Sequence, residues 1–391
     1  MADRKFSVLF ILPFLLVLTG CWDDIELEER GFLAGVAVDL AEGGGEKEMF
    51  EVTMQLVVPS GLGSSTQGAG GDKAYRNLSQ TGRSLFEINQ SVGRQANREI
   101  NIEHLDVVIL STEVASKKEL FDNVVDVFIR QQNMRRGISI ALVEGKAKSL
   151  LDLETEHEKL PARYIDTLME YKENAFTIQP VRLGDLQEKM LESRSFVIPI
   201  LSVFANNSIN YSGVAVFRGE TNELVEVIRK EDVEGRNFIV GENFEGAMPL
   251  EIEGDLITFL VQRGNSSVKL INDDKENLGF HVDIQLSARI VEYLGKKDLS
   301  KMEDLNLVKR ALEKKVKTIS ESSIEKIKDD LQVDILDLDY YLKMHHYKLW
   351  EKVKDNWDTG ENYFSKSDIQ VKVNVDITDP GNSYRIIKEG E

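Results

Sequence analysis

Cysteine is almost absent from this chain: Cys21 is the single one among 391 residues. A secreted chain with one cysteine forms no intramolecular disulfide, so its domains rest on ordinary apolar cores. Basic residues are short as well, 48 Lys and Arg against 67 Asp and Glu, for a formal charge of −19. That balance excludes nucleic acid as a partner, because phosphate binding is driven by cations that displace counterions. It also excludes attraction to an anionic lipid surface, which needs polybasic segments. If the protein sits at a membrane, something other than charge holds it there. The longest apolar run, residues 8–18, is interrupted by Pro13 and falls short of the roughly 20 residues that span a bilayer.

Signatures of catalysis are missing too. Five histidines, His104, His157, His281, His345 and His346, include no i, i+4 pair that would place two imidazoles on one helix face for a metal. His345 and His346 would point about 100° apart on a helix. Carboxylate pairs such as Asp23/Asp24 and Asp273/Asp274 are what an acidic composition yields by chance, and nothing sets two of them across a cleft. The glycine-rich stretch 61–71 follows a strand, but it lacks the Gly-Lys-Ser/Thr ending and the third glycine of phosphate-binding loops. It reads as a surface loop. No Gly-x-Ser-x-Gly elbow occurs. The expectation is therefore no catalytic residue, no metal and no cofactor.

What is present begins at the N-terminus. Arg4 and Lys5 precede the apolar run, and Leu18-Thr19-Gly20-Cys21 follows it. This order is that of a secretory signal peptide, residues 1–20. Its last four residues resemble the lipobox of bacterial lipoproteins, in which the cysteine thiol takes a diacylglyceryl group and becomes the mature N-terminus. Two acyl chains at about 0.8 kcal/mol per buried CH₂ give a stable anchor, and a hydrophobic anchor suits an acidic body. Loss of residues 1–20 would remove Asp3, Arg4 and Lys5 and leave the remainder one charge more acidic. Trp22 and Asp23 would then lie beside the anchor, either as an interfacial aromatic at headgroup level or as a docking contact for a membrane partner.

Three modules are expected in the mature chain, all within an α+β class. In residues 22–159, strands at 31–40 and 49–58 are followed by a helix carrying Leu85, Ile88, Val92 and Ala96. A strand at 105–110, a helix behind a Ser116/Glu119 capping box and a strand at 138–143 complete a β-β-α-β-α-β order. Residues 160–245 hold helices near 161–174 and 181–194 and strands at 196–203, 213–217 and 224–228. Residues 246–391 have the cleanest periodicity. Phe280 to Ile290 and Ile369 to Ile377 alternate strictly with polar residues, as strands with one wet face do. Between them a long helix carries Leu305, Val308, Leu312, Val316 and Ile319, and a second spans about 336–357.

Several runs, in order, resemble one family. Gly20-Cys21-Trp22-Asp23 with Glu26-Leu27 and the strand 31–39 looks like the start of the Ger(x)C family of spore germination lipoproteins. Gly145-Lys146-Ala147-Lys148-Ser149-Leu150-Leu151 and Pro161-Ala162-Arg163-Tyr164 are similar to its N-terminal region. Ser212-Gly213-Val214-Ala215-Val216-Phe217 resembles its Ser-Gly-Ala-Ala-Val-Phe strand. Residues 347–357, with Trp350 and Trp357, resemble its Leu-Trp helix, and His346 stands where that family often has proline.

The resemblance implies a non-catalytic lipoprotein on the outer face of the spore inner membrane. It would be the C subunit of a nutrient-germinant receptor, assembled with an A-type and a permease-like B-type membrane subunit. Two other classes stand against it. A solute-binding lipoprotein of a transporter would need a cleft between two similar lobes, and a cell-wall hydrolase is suggested by location only.

Overall fold

The computed structural model describes residues 30–43, 48–62, 73–131, 133–155, 158–171, 175–204, 208–295 and 298–379. Strands β1 (Arg30–Leu40), β2 (Phe50–Val57) and β3 (Tyr75–Gly82) form an antiparallel meander. Helix α1 (Leu85–Ala96) follows, started by the Ser84 side chain and ended by Asn97 in the left-handed region. The short β4 (Glu99–Asn101) pairs with the beginning of β1, and β5 (Val107–Ser111) lies parallel to β1 on the side away from β2. Helix α2 (Lys118–Arg130) crosses to β6 (Ser139–Val143), again parallel. Helices α3 (Pro161–Met169) and α4 (Leu183–Leu191) precede β7 (Phe196–Phe204), and β8 (Ser208–Arg218) and β9 (Glu223–Ile228) close an antiparallel end.

These strands make one nine-stranded sheet, in the order β3-β2-β1-β5-β6-β7-β8-β9 with β4 beside β1. Every residue of β5 and β6 is buried, as parallel strands covered on both faces are. On one face Ile88 and Val92 of α1, Phe121 and Val124 of α2 and Leu186 of α4 pack on the sheet. There Phe121, Phe196 and Phe217 form a stacked run, with Phe217 4.8 Å from Phe121 and 4.9 Å from Phe196. The other face takes Ala162, Ile165 and Met169 of α3 together with Leu150 and Leu151.

The second unit follows helix α5 (Glu231–Val240). Strands β10 (Gly246–Ile252), β11 (Asp255–Asn272) and β12 (Gly279–Tyr293) run antiparallel. Helices α6 (Met302–Glu325), α7 (Leu338–His345) and α8 (Tyr347–Val353) then return the chain to β13 (Asp368–Asp379), parallel to β12. A parallel pair needs such a crossover. Phe280, Val282, Ile284, Leu286 and Ala288 fill the inner face beneath Val308, Leu312 and Val316 of α6. The α+β class expected from the sequence is the class observed.

Several details differ from the expectations. The division at 159/160 is crossed by one sheet, since Leu142 and Val143 of β6 pair with Ile200 and Leu201 of β7. Strands β3, β10 and β11 and helix α5 had no counterpart in the sequence reading. β11 carries Gly264-Asn265-Ser266-Ser267 at its middle, a run that reads as a loop until a neighbouring strand pairs with it. The Ser116/Glu119 capping box does not form. Ser116 donates to the Glu113 carbonyl of the preceding turn, and Lys117 occupies the cap position. The helix expected over 336–357 is two helices, broken at His346, whose φ of −134° and ψ of 46° are not helical.

Candidate functional site

The two units meet along a seam built from buried charge. Arg194 and Ser195 stand immediately before β7, and Arg218 ends β8. Opposite them, residues 333–337 end the connection from α6 to α7, and Leu338 and Asp339 begin α7. Asp334 sits at the centre and accepts from four donors: the backbone N–H of Leu336 (2.9 Å), Leu338 (3.4 Å) and Asp339 (2.7 Å), and Trp357 Nε1 (2.7 Å). Asp358 accepts from Ser195 Oγ (2.5 Å) and from the Asp334 N–H (3.1 Å), while its carbonyl takes a hydrogen bond from Arg218. Arg194 grips Asp339 with Nε (2.7 Å) and Nη2 (3.2 Å) and reaches Asp337 with Nη2 (2.9 Å). Its guanidinium lies 4.7 Å from the centre of the Tyr340 ring.

Protonation follows from this geometry. Burial pushes the carboxyls of Asp334, Asp339 and Asp358 upward; Arg194 opposes the rise at Asp339, and Ser195 opposes it at Asp358. Asp337 is half-buried, and Lys189, Arg236 and Arg194 outweigh the desolvation cost and hold it below the usual aspartate range. Burial works against the charge of Arg194, and its bonds to Asp339 and the field of Asp337 and Asp334 more than offset it.

A cleft of about 320 Å³ opens beside the seam. Ile178, Val181, Leu186, Phe196 and Val197 form apolar walls, and Arg194, Arg236, Lys189, Asp337 and Glu242 bring charge to it. Arg236 of α5 donates through Nε to the Ile335 carbonyl (3.0 Å) and through Nη1 to Asn237 Oδ1 (3.1 Å) and Glu242 Oε2 (3.0 Å). Among the described residues no Ser, Thr, Cys or His lines it. With apolar walls, charged side chains and the Tyr340 ring beside Arg194, the cleft has the makings of a small-ligand site.

Of these residues only Trp357 was singled out by sequence reasoning, as part of the helix that resembles the family's, and not as a partner of Asp334. The signal available was Asp334-Ile335-Leu336-Asp337-Leu338-Asp339, acids interleaved with aliphatics, which in so acidic a chain reads as a solvated face. The residues that were singled out fall elsewhere. Cys21, Trp22 and Asp23 lie outside the described residues, as do His157 and residues 63–71 of the glycine-rich stretch. His104 meets Phe32 edge to face at 5.5 Å, and His345 and His346 flank the Tyr341 ring at 5.1 and 5.5 Å. His281 lies on the outer face of β12 opposite Lys269. Among the described residues no group of three or more potential ligands is set to hold a metal. No described helix is long and apolar enough to cross a membrane.

Those motifs of the resemblance that fall within the described residues are joints of the fold. Buried Asp39, at the end of β1, accepts from the N–H of Ala147 (2.6 Å) and Lys148 (3.0 Å) and so fixes the 145–151 segment. Gln55 of β2 donates to the Leu151 carbonyl (2.9 Å) and accepts from the Ala162 N–H (3.0 Å), tying that segment to α3. At Gly213 a Cβ would lie 2.7 Å from the Ile228 carbonyl oxygen, so β8 and β9 approach as they do because the residue is glycine. Trp357 is buried, and Trp350 meets it edge to face at 6.0 Å.

Known proteins match the chain along nearly its whole length. Residues 23–203 match the family described as spore germination protein N-terminal domain, and residues 212–381 match that described as spore germination B3/GerAC like, C-terminal. Spore germination protein YndF of Bacillus subtilis (strain 168) is 30% identical over 397 residues, covering 96% of each chain. Spore germination protein B3 of the same organism is 23% identical over 96% of this chain and 98% of its own. The crystal structure of the GerBC protein superposes with a TM-score of 0.59 at 17% identity, over 88% of this chain and 97% of that one, a likeness of fold.

Proposed function

The chain belongs to the GerAC, or Ger(x)C, family of spore germination proteins, and we propose on that basis that it is the lipid-anchored C subunit of a spore nutrient-germinant receptor. In this reading Cys21 carries the lipid and holds the body at the outer face of the spore inner membrane. An A-type and a permease-like B-type membrane subunit are the partners, and Trp22 and Asp23 stand where a docking contact beside the anchor would be. The subunit couples its partners and turns over no substrate.

The observation that carries the reading is the pair of family matches, in order, over 23–203 and 212–381. Relatives bearing the names spore germination protein A3 and KC, each matched over 96% of this chain, support it. The signal-peptide order and Leu18-Thr19-Gly20-Cys21 support the anchor. The rival reading, a solute-binding lipoprotein, asks for two similar lobes around a cleft. The units here are unlike, nine strands against four.

The test compares the parent with Cys21→Ala, by intact mass of the membrane-fraction protein and by germination of spores. The expected parent lacks residues 1–20 and carries a diacylglyceryl group, and the variant loses membrane retention and germinates poorly. Full-length or unlipidated parent protein, or normal germination by a released variant, would overturn the reading.

A further inference from the structure

Arg194 and Arg236 are two buried arginines that face one cleft with part of each guanidinium unused. The Arg236 side chain is only 3% exposed. Its Nε and Nη1 are bonded as described, and its Nη2 has no protein partner among the described residues. Arg194, 8% exposed, spends Nε and Nη2 on Asp339 and Asp337, and its Nη1 likewise has no protein acceptor among them. Both side chains line the same cavity, and both act on Asp337 between them. Neither nitrogen is itself a fully buried atom, so each is open to an acceptor that enters the cleft. The acceptor that matches two planar forks is a carboxylate, whose two oxygens offer about four lone-pair sites.

The rest of the cleft narrows the class. Its walls are Ile178, Val181, Leu186, Phe196 and Val197, so the remainder of the ligand is apolar. Its volume of about 320 Å³ stands at the small end of ligand pockets, which start near ~300 Å³. Exposed Asp185 and Glu188 of α4 also line it, without an ion-pair partner among the described residues, and they repel a second negative group. Phosphate and dicarboxylates are disfavoured on that count.

We propose that the cleft binds a small apolar monocarboxylate, its carboxylate held by Arg194 Nη1 and Arg236 Nη2 and its body against Ile178, Val181 and Phe196. The inference goes beyond the receptor-subunit reading, which needs no ligand on this chain, so either can fail without the other. It also differs from a solute-binding lipoprotein, because the site lies in a seam between unlike units and not between twin lobes.

The test is calorimetric titration of the chain from residue 22 onward with isovalerate, isovaleramide, succinate and inorganic phosphate. Isovaleramide keeps the shape and removes the charge. Isovalerate is expected to bind about tenfold or more tightly than the amide, with succinate and phosphate weaker than isovalerate. Val181→Trp fills the apolar wall and leaves every charged group in place, and it is expected to abolish binding in a protein that still unfolds cooperatively, at a midpoint lowered by overpacking. Arg236→Lys keeps the positive charge without the fork and is expected to weaken isovalerate while leaving the amide unmoved. Equal binding of acid and amide, no binding of isovalerate, tighter binding of phosphate or succinate, or full binding by a folded Val181→Trp protein would each overturn the proposal.

Discussion

Arg194 Nε donates to Asp339 Oδ2 at 2.7 Å, joining residues 145 positions apart across the seam between the nine-stranded and four-stranded sheets. Both side chains are buried, so neither charge has water to fall back on. A buried pair adds little over a well-packed apolar isostere, but removing one partner strands the other charge.

Arg194→Ala and Asp339→Ala are each expected to lower unfolding stability by about 3–5 kcal/mol. The double variant should cost less than the sum of the two by more than about 1 kcal/mol, because the second substitution removes the charge that the first left stranded. Urea unfolding of the four proteins measures both quantities. Additive effects, or losses no larger than the roughly 0–1 kcal/mol of surface pairs, would show that the seam is not held by this contact.

Glu234 gives the fold a pH dependence of definite sign. It is buried on α5, and burial lifts its carboxyl from 4.5 to about 7, with Lys315 pulling the other way. Between those values the folded protein holds a proton that the unfolded chain has released. Stability contributed at this site therefore falls as pH rises from about 4.5 through about 7. Glu234→Gln removes the titration, so it is expected to be more stable than the parent above pH 7 by about 1–3 kcal/mol and to match it near pH 4.5. Thermal unfolding of both proteins across pH 4.5–8 checks this, and parallel curves would contradict it.

Gly235 brings α5 against α6. A Cβ there would lie 2.0 Å from Ser323 Oγ and 2.6 Å from the Ile319 carbonyl oxygen. Ser323 Oγ is itself bonded to the carbonyls of Glu231 (3.3 Å) and Asp232 (3.2 Å), so it cannot yield freely. Gly235→Ala is expected to cost about 1–3 kcal/mol by forcing the helices apart, despite alanine's better helix propensity. A stabilised variant would mean that the helices are not in this contact.

What the sequence made legible was local periodicity. Phe280, Val282 and Ile284 announce β12 by strict alternation, and Leu305, Val308 and Leu312 announce α6, because each pattern is set by a single neighbouring surface. The seam was not legible. Arg194 and Asp339 are partners only once two separate units have folded, and no spacing rule connects them. Asp334 looks solvated beside Ile335 and Leu336 until Trp357 and three backbone N–H groups close over it. His346 lies between these cases. With histidine in place of the proline that family often has there, the sequence leaves the helix start in doubt, yet α8 starts at Tyr347, directly after the break.

The most direct test of the receptor-subunit account is affinity purification of the tagged full-length protein from detergent-solubilised membranes of its native spores, with its companions identified by mass spectrometry. The account predicts two integral membrane proteins in comparable amount, one of them permease-like, recovered with the parent and lost with Cys21→Ala. Recovery of the chain alone, or with a transporter permease and its ATPase in their place, would contradict it.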